Sequence, residues 1–153
     1  MGDFHLHTGS LRGRKEATLD LIITTLKAGR KVFWAKFLED EQYIEFDFRG
    51  KYRDLTIKKY SSEGINRSIS EKDNLKLTKR GFYEIKEALK SGRYQLVVMD
   101  ELNRVLFCQL ISIDGLLEII EGRANGVEVL LTGEMANREL IARADLVTSY
   151  LYE

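Results

Sequence analysis

Short apolar runs alternate with helix-periodic stretches along nearly the whole chain, and this alternation constrains the fold more than any other feature. Lys31 to Phe37 contains Val32, Phe33, Trp34 and Ala35 in succession. Tyr94 to Met99 reads Tyr-Gln-Leu-Val-Val-Met, and Val127 to Leu131 forms a third such run. Strands apolar on both faces belong inside a sheet covered from both sides. Asp3 to His7, Leu55 to Lys58 and Leu146 to Tyr150 read as further strands.

The intervening stretches carry helical periodicity. Glu16 to Ala28 places Ala17, Leu21, Ile22 and Leu26 near one face and stops at Gly29. Leu75 to Lys90 turns Phe82, Ile85 and Leu89 inward and stops at Gly92. Ser112 to Gly122 opens on a capping serine with Asp114 in its first turn. Asn137 to Ala144 is a short helix. Tyr43 to Phe48 alternates and fits either a strand or an edge helix turn. Ser61 to Asn74 is polar and reads as a loop. Strands separated by helices predict one α/β domain over 1–153, a three-layer sandwich with a mostly parallel sheet.

Composition narrows the roles. The 24 basic and 24 acidic residues cancel, whereas a non-specific nucleic-acid binder carries a basic excess. No apolar run approaches the roughly 20 residues needed to span a bilayer, and Phe4 to Thr8 is too short and too polar to read as a signal peptide. The single cysteine, Cys108, excludes an internal disulfide framework and suits the cytoplasm. It lies in an apolar stretch and reads as a small buried hydrophobe.

Between the first strand and the first helix stands Thr8-Gly9-Ser10-Leu11-Arg12-Gly13-Arg14-Lys15-Glu16. A phosphate-binding loop occupies this position between strand and helix. Its glycines let backbone N–H groups face the phosphates, a lysine reaches the outer phosphates, and a hydroxyl ligates Mg²⁺. Here Arg14 stands at the lysine position and Lys15 at the hydroxyl position. Arginine keeps the charge but not the compact shape, and an ammonium cannot ligate a cation.

Two other strand ends carry polar groups. Asp100 and Glu101 end the Val97-Val98-Met99 strand, where acids can hold Mg²⁺ opposite a triphosphate. Thr132 and Gly133 end the Val127 to Leu131 strand at a turn that can approach a ligand. Each feature also has a plain structural reading: solvated acids in one case, an ordinary glycine turn in the other. Arg12, Arg14, Lys15 and Arg104 suit an anion as a local basic cluster, or are simply a solvated loop. His5 and His7 share a face of the first strand without partners at metal-binding spacing, which favours a structural role. Trp34 reads as packing on the sheet.

The ordered set Thr-Gly-x-x-x-Gly with its helix, Ala28-Gly29-Arg30-Lys31-Val32, Val97 to Leu102, Leu130 to Gly133 and Ala144 to Thr148 resembles the ATP:corrinoid adenosyltransferase family. The resemblance covers nearly the whole chain except Glu39 to Asn74. It implies a P-loop NTPase-like (RecA-like) fold and a homodimer. It also implies transfer of the 5′-deoxyadenosyl group of ATP to Co(I) of a corrinoid, with triphosphate as leaving group. Thr8 to Glu16, Thr132 and Gly133 would then hold ATP, and Asp100 and Glu101 would hold Mg²⁺. No catalytic base is implied, because the cobalt is the nucleophile. Ser61 to Gly64 falls where the family places a substrate-contacting loop. Leu11, Arg14, Lys15, Glu134 and Ser149 depart from the family pattern. Two outcomes follow from these departures. Lys15 supplies the charge that Mg²⁺ would bring, or triphosphate binding is lost and the fold serves a binding or regulatory role.

Overall fold

The computed structural model describes residues 2–37, 52–60, 71–102, 111–134 and 137–151. In chain order these form β1 (Phe4–Gly9), α1 (Leu11–Lys27), β2 (Val32–Lys36), β3 (Leu55–Lys59) and α2 (Glu71–Ser91). They continue as β4 (Leu96–Asp100), α3 (Ile113–Glu121), β5 (Glu128–Thr132), α4 (Arg138–Arg143) and β6 (Leu146–Tyr150). The expected strand over Tyr43 to Phe48 lies outside the described residues.

The six strands make one sheet in the order β3-β2-β4-β5-β1-β6. Every neighbouring pair is parallel, so the sheet is parallel throughout. Successive parallel strands need crossovers, which α1, α2, α3 and α4 supply between β1 and β2 and from β3 to β6; the β2–β3 connection lies largely outside the described residues. α1 covers one face: its Ile22 and Leu26 pack with Val32, Trp34, Leu96, Val98 and Leu130. α2, α3 and α4 cover the other, where Ile85, Leu89, Leu116, Ile120 and Leu140 meet Phe33, Val97, Met99, Val129 and Leu131. This is the α/β sandwich of a P-loop NTPase-like fold.

Two expected boundaries need correction. The first helix does not begin at Glu16. It begins at Leu11, because the Ser10 side chain accepts a hydrogen bond from the Gly13 N–H and caps it there. The second helical stretch, α2, begins at Glu71, inside the segment expected to be loop, and its apolar stripe begins only later along the helix. α3 is capped by Ser112 as expected, through the Gly115 N–H. Among the described residues, no helix is long and apolar enough to cross a membrane.

Candidate functional site

Strand register builds the floor of the site. Ile57, Trp34, Val98, Leu130, His5 and Leu146 lie side by side across the six strands, largely apolar and facing α1. Two residues further along each strand the same face presents Lys59, Lys36, Asp100, Thr132, His7 and Thr148. The registers pair Lys36 with Lys59 and with Asp100, and His7 with Thr132 and with Thr148. The α1-facing surface therefore turns from apolar to polar in one step at the carboxyl ends of the strands. Open α/β sheets bind their ligands beyond this edge.

The loop from β1 to α1 closes over this row. Gly9 has φ +95°, a left-handed conformation that glycine adopts without steric cost, and a Cβ there would run into the Tyr150 carbonyl. Four N–H groups of the loop are engaged within the chain. Ser10 N–H donates to the Tyr150 carbonyl at 2.7 Å, and Gly9 N–H to the Glu134 carbonyl at 3.4 Å. Gly13 N–H goes to Ser10 Oγ, and Arg14 N–H to the Ser10 carbonyl. The Tyr150 side chain packs where a Gly13 side chain would otherwise stand, its ring edge-on to His7. In a phosphate-binding loop such N–H groups face the anion. Here a serine hydroxyl and three carbonyls take that place.

Arg14 is the centre of the arrangement. Its position on α1 falls in the inward stripe Arg14, Thr18, Ile22 and Leu26, so its side chain points under the helix and is 3% exposed. One guanidinium nitrogen, Nη1, donates to the Gly9 carbonyl. The other, Nη2, donates to Glu101 Oε1 at 2.6 Å. Nε is buried with no hydrogen-bond partner. Glu101 adopts φ +62°, a strained conformation for a residue with a side chain. That strain turns its carboxylate back toward the loop. Burial pushes the Glu101 carboxyl above its ordinary range, and the Arg14 guanidinium pulls it back down.

Asp100 is held from two sides. Trp34 Nε1 donates to Asp100 Oδ2 at 3.0 Å, and Thr132 Oγ1 donates to Oδ1 at 3.0 Å. Thr132 Oγ1 in turn accepts the Glu101 N–H at 2.9 Å. Thr132 thus ties the backbone of one acid to the side chain of the other. Lys15 stands near Asp100, Glu101, Lys36 and Arg14. Burial lowers its pKa, and the two acids counter that shift.

In this structure the two acids of the candidate Mg²⁺ site already have partners within the chain. Both Asp100 oxygens accept hydrogen bonds, Glu101 is engaged by a guanidinium, and the hydroxyl ligand is replaced by an ammonium. Among the described residues no three His, Cys, Asp or Glu are grouped to hold a metal.

The expected site residues divide into two sets. Gly9, Ser10, Arg14, Asp100, Glu101 and Thr132 come together, with Gly133 N–H fixed on the His7 carbonyl. Thr8 is buried in β1. Leu11 is exposed, and Arg12 and Glu16 pair with each other on the outer face of α1. Arg104, Cys108 and Ser61 to Gly64 lie outside the described residues. The sequence reading missed the roles of Trp34, Lys36, His7 and Tyr150. Their signal was available in strand parity: each sits on the α1 face at or next to a carboxyl end. His5 is paired with Glu128 at 3.1 Å. Burial, with His5 beside it, lowers the His7 pKa to about 4, so His7 is neutral at physiological pH.

The parallel sheet, its order and the strand–loop–helix over the carboxyl edge define a P-loop-type α/β domain. The family model for ATP:corrinoid adenosyltransferase BtuR/CobO/CobP matches residues 1–151, and the chain belongs to that family. An uncharacterized protein of Nostoc sp. (strain PCC 7120) is 37% identical over 67 residues, which is 44% of this chain and 18% of that protein. The matched part thus spans under a fifth of that relative's length.

Proposed function

We propose that this chain is a non-transferring member of the adenosyltransferase family, one that keeps the fold as a binding or regulatory module. The observation that carries this reading is Arg14, folded back onto the Gly9 carbonyl and Glu101. A guanidinium there fills the loop with positive charge that is already compensated. The N–H groups of Gly9, Ser10, Gly13 and Arg14, which an incoming triphosphate could otherwise use, are engaged by Glu134, Tyr150 and Ser10. Binding would have to break these contacts first and would lose that much affinity. Without Mg²⁺ ligation, little neutralises a triphosphate leaving group.

The test is a reaction containing MgATP, chemically reduced cobalamin and the purified protein, followed by absorbance as a Co–C bond forms. No product above the protein-free rate is expected. Titration calorimetry with MgATP should give a dissociation constant well above the micromolar range. Tight, Mg²⁺-dependent binding with product formation would overturn the proposal.

The family's own reaction is the second reading, favoured by a family match over 1–151. It would require Arg14 to leave the loop, with Lys15 supplying charge in place of the metal. The same assay separates the two. We also take the chain to be a homodimer, on the strength of family membership.

A further inference from the structure

The two edges of the sheet are built differently. β3 ends in Lys58 and Lys59, and its other residues are half-buried. Lysines on an edge strand are a common device against pairing with another chain. β6 lacks any such device. Leu146, Val147, Thr148 and Ser149 are all exposed, and the strand Leu-Val-Thr-Ser-Tyr carries no charge, proline or glycine. Leu146 is 52% exposed and Val147 is 43% exposed, and they lie on opposite faces of the sheet. Ile141 on α4 is exposed as well.

β6 is nonetheless firmly seated. Five of its residues are in register with β1, and Asp145 accepts the Phe4 N–H at 2.7 Å just before it. Among the described residues no strand pairs with its outer edge, the geometry that accepts an added strand.

We propose that β6 pairs antiparallel with β6 of a second copy of this chain, joining two six-stranded sheets into one. This rests on the homodimer reading and names the surface. The strand's own chemistry favours a second copy over a foreign strand. A two-fold axis sets each strand against its own copy, and the residue on the axis meets itself, so a charge there would face an identical charge. Centred on Thr148, the pairing sets Leu146 against Tyr150, Val147 against Ser149 and Thr148 against itself. No like charges meet, and an apolar residue contributes to each of the outer pairs. Side-chain alternation allows only registers in which i and j sum to an even number, because an odd sum would pair opposite faces. Of the even registers, the one centred on Thr148 pairs the whole strand.

The interface would adjoin the closed loop, since the Tyr150 carbonyl holds the Ser10 N–H. The experiment uses sedimentation velocity on the full chain and on Thr148→Lys, with circular dichroism to verify folding. The wild type should sediment as a dimer across the micromolar range, and Thr148→Lys as a folded monomer. A second variant, Thr148→Cys, should cross-link to a covalent dimer on mild oxidation, well above the wild type carrying only Cys108. Opposed residues in an antiparallel pair have Cα atoms about 4.5–5.5 Å apart, within disulfide reach. A monomeric wild type overturns both this surface and the homodimer reading. A dimer that survives Thr148→Lys, with no added cross-linking from Thr148→Cys, overturns the surface alone.

Discussion

Arg14 and Glu101, 87 residues apart in sequence, form a buried ion pair whose N–O distance is 2.6 Å. Removing one member leaves an uncompensated charge under α1, and such losses run to about 3–5 kcal/mol. Arg14→Ala should therefore lower the unfolding free energy by about 3 kcal/mol in urea. The double variant Arg14→Met with Glu101→Leu should lose far less than the two single losses combined, because neither charge remains. A loss below about 1 kcal/mol for Arg14→Ala would mean that the pair is not holding the loop.

The loop glycines give opposite expectations for one substitution. Alanine normally favours a helix interior over glycine by up to about 1 kcal/mol. At Gly13 an added Cβ would lie 2.7 Å from Tyr150 Cβ, so Gly13→Ala should destabilise instead. In a Tyr150→Gly background, which removes that Cβ, the same change should become neutral or favourable. A double-mutant cycle in denaturant measures the coupling.

Gly9→Ala should be far worse than Gly29→Ala. Both have positive φ, but nothing lies within 4 Å of a Cβ on Gly29, whereas one on Gly9 meets the Tyr150 carbonyl. The first should cost more than about 2 kcal/mol and the second about 1 kcal/mol. Equal melting temperatures for the two would contradict the close approach of β6 to the loop.

His7 makes stability fall with acid. Its folded pKa, about 4, lies below the unfolded value of 6.5, so the unfolded chain binds the proton more readily. The stability contributed by neutral His7 is complete above pH 6.5 and is lost as pH falls toward 4. The integrated loss is on the order of 3 kcal/mol. Denaturant midpoints from pH 7 to pH 4 should decline in the wild type, and the slope should flatten in His7→Gln. An unchanged slope would assign the acid sensitivity to other groups.

The sheet was largely legible because the runs at Val32 to Ala35, Leu96 to Met99 and Val129 to Leu131 have no other stable placement than a doubly covered sheet. Ser112 and Gly122 marked α3 because capping chemistry is local. The start of α1 was misread for the same kind of reason. Ser10 was read as a loop residue awaiting a ligand, and its competing role as a helix cap lies in the same short segment. The Arg14 contact with Glu101 was not legible. It depends on a strained backbone at Glu101 and on which way a long side chain turns, and both are set by packing between distant segments. Trp34 read as core, which it is; its indole N–H on Asp100 became visible only with the register.

β1 pairs with β5 on one side and β6 on the other, and the Phe4 contact with Asp145 spans 141 residues of sequence. The loop after β1 is closed by Tyr150, so its final shape belongs to the slow, non-local part of folding. During synthesis the segment around Ser10 leaves the ribosome long before the strand that restrains it. Until β6 docks, the Ser10 N–H lacks the Tyr150 carbonyl that holds it. The closed form of the loop is thus a property of the completed sheet, not of the strand–loop–helix segment by itself.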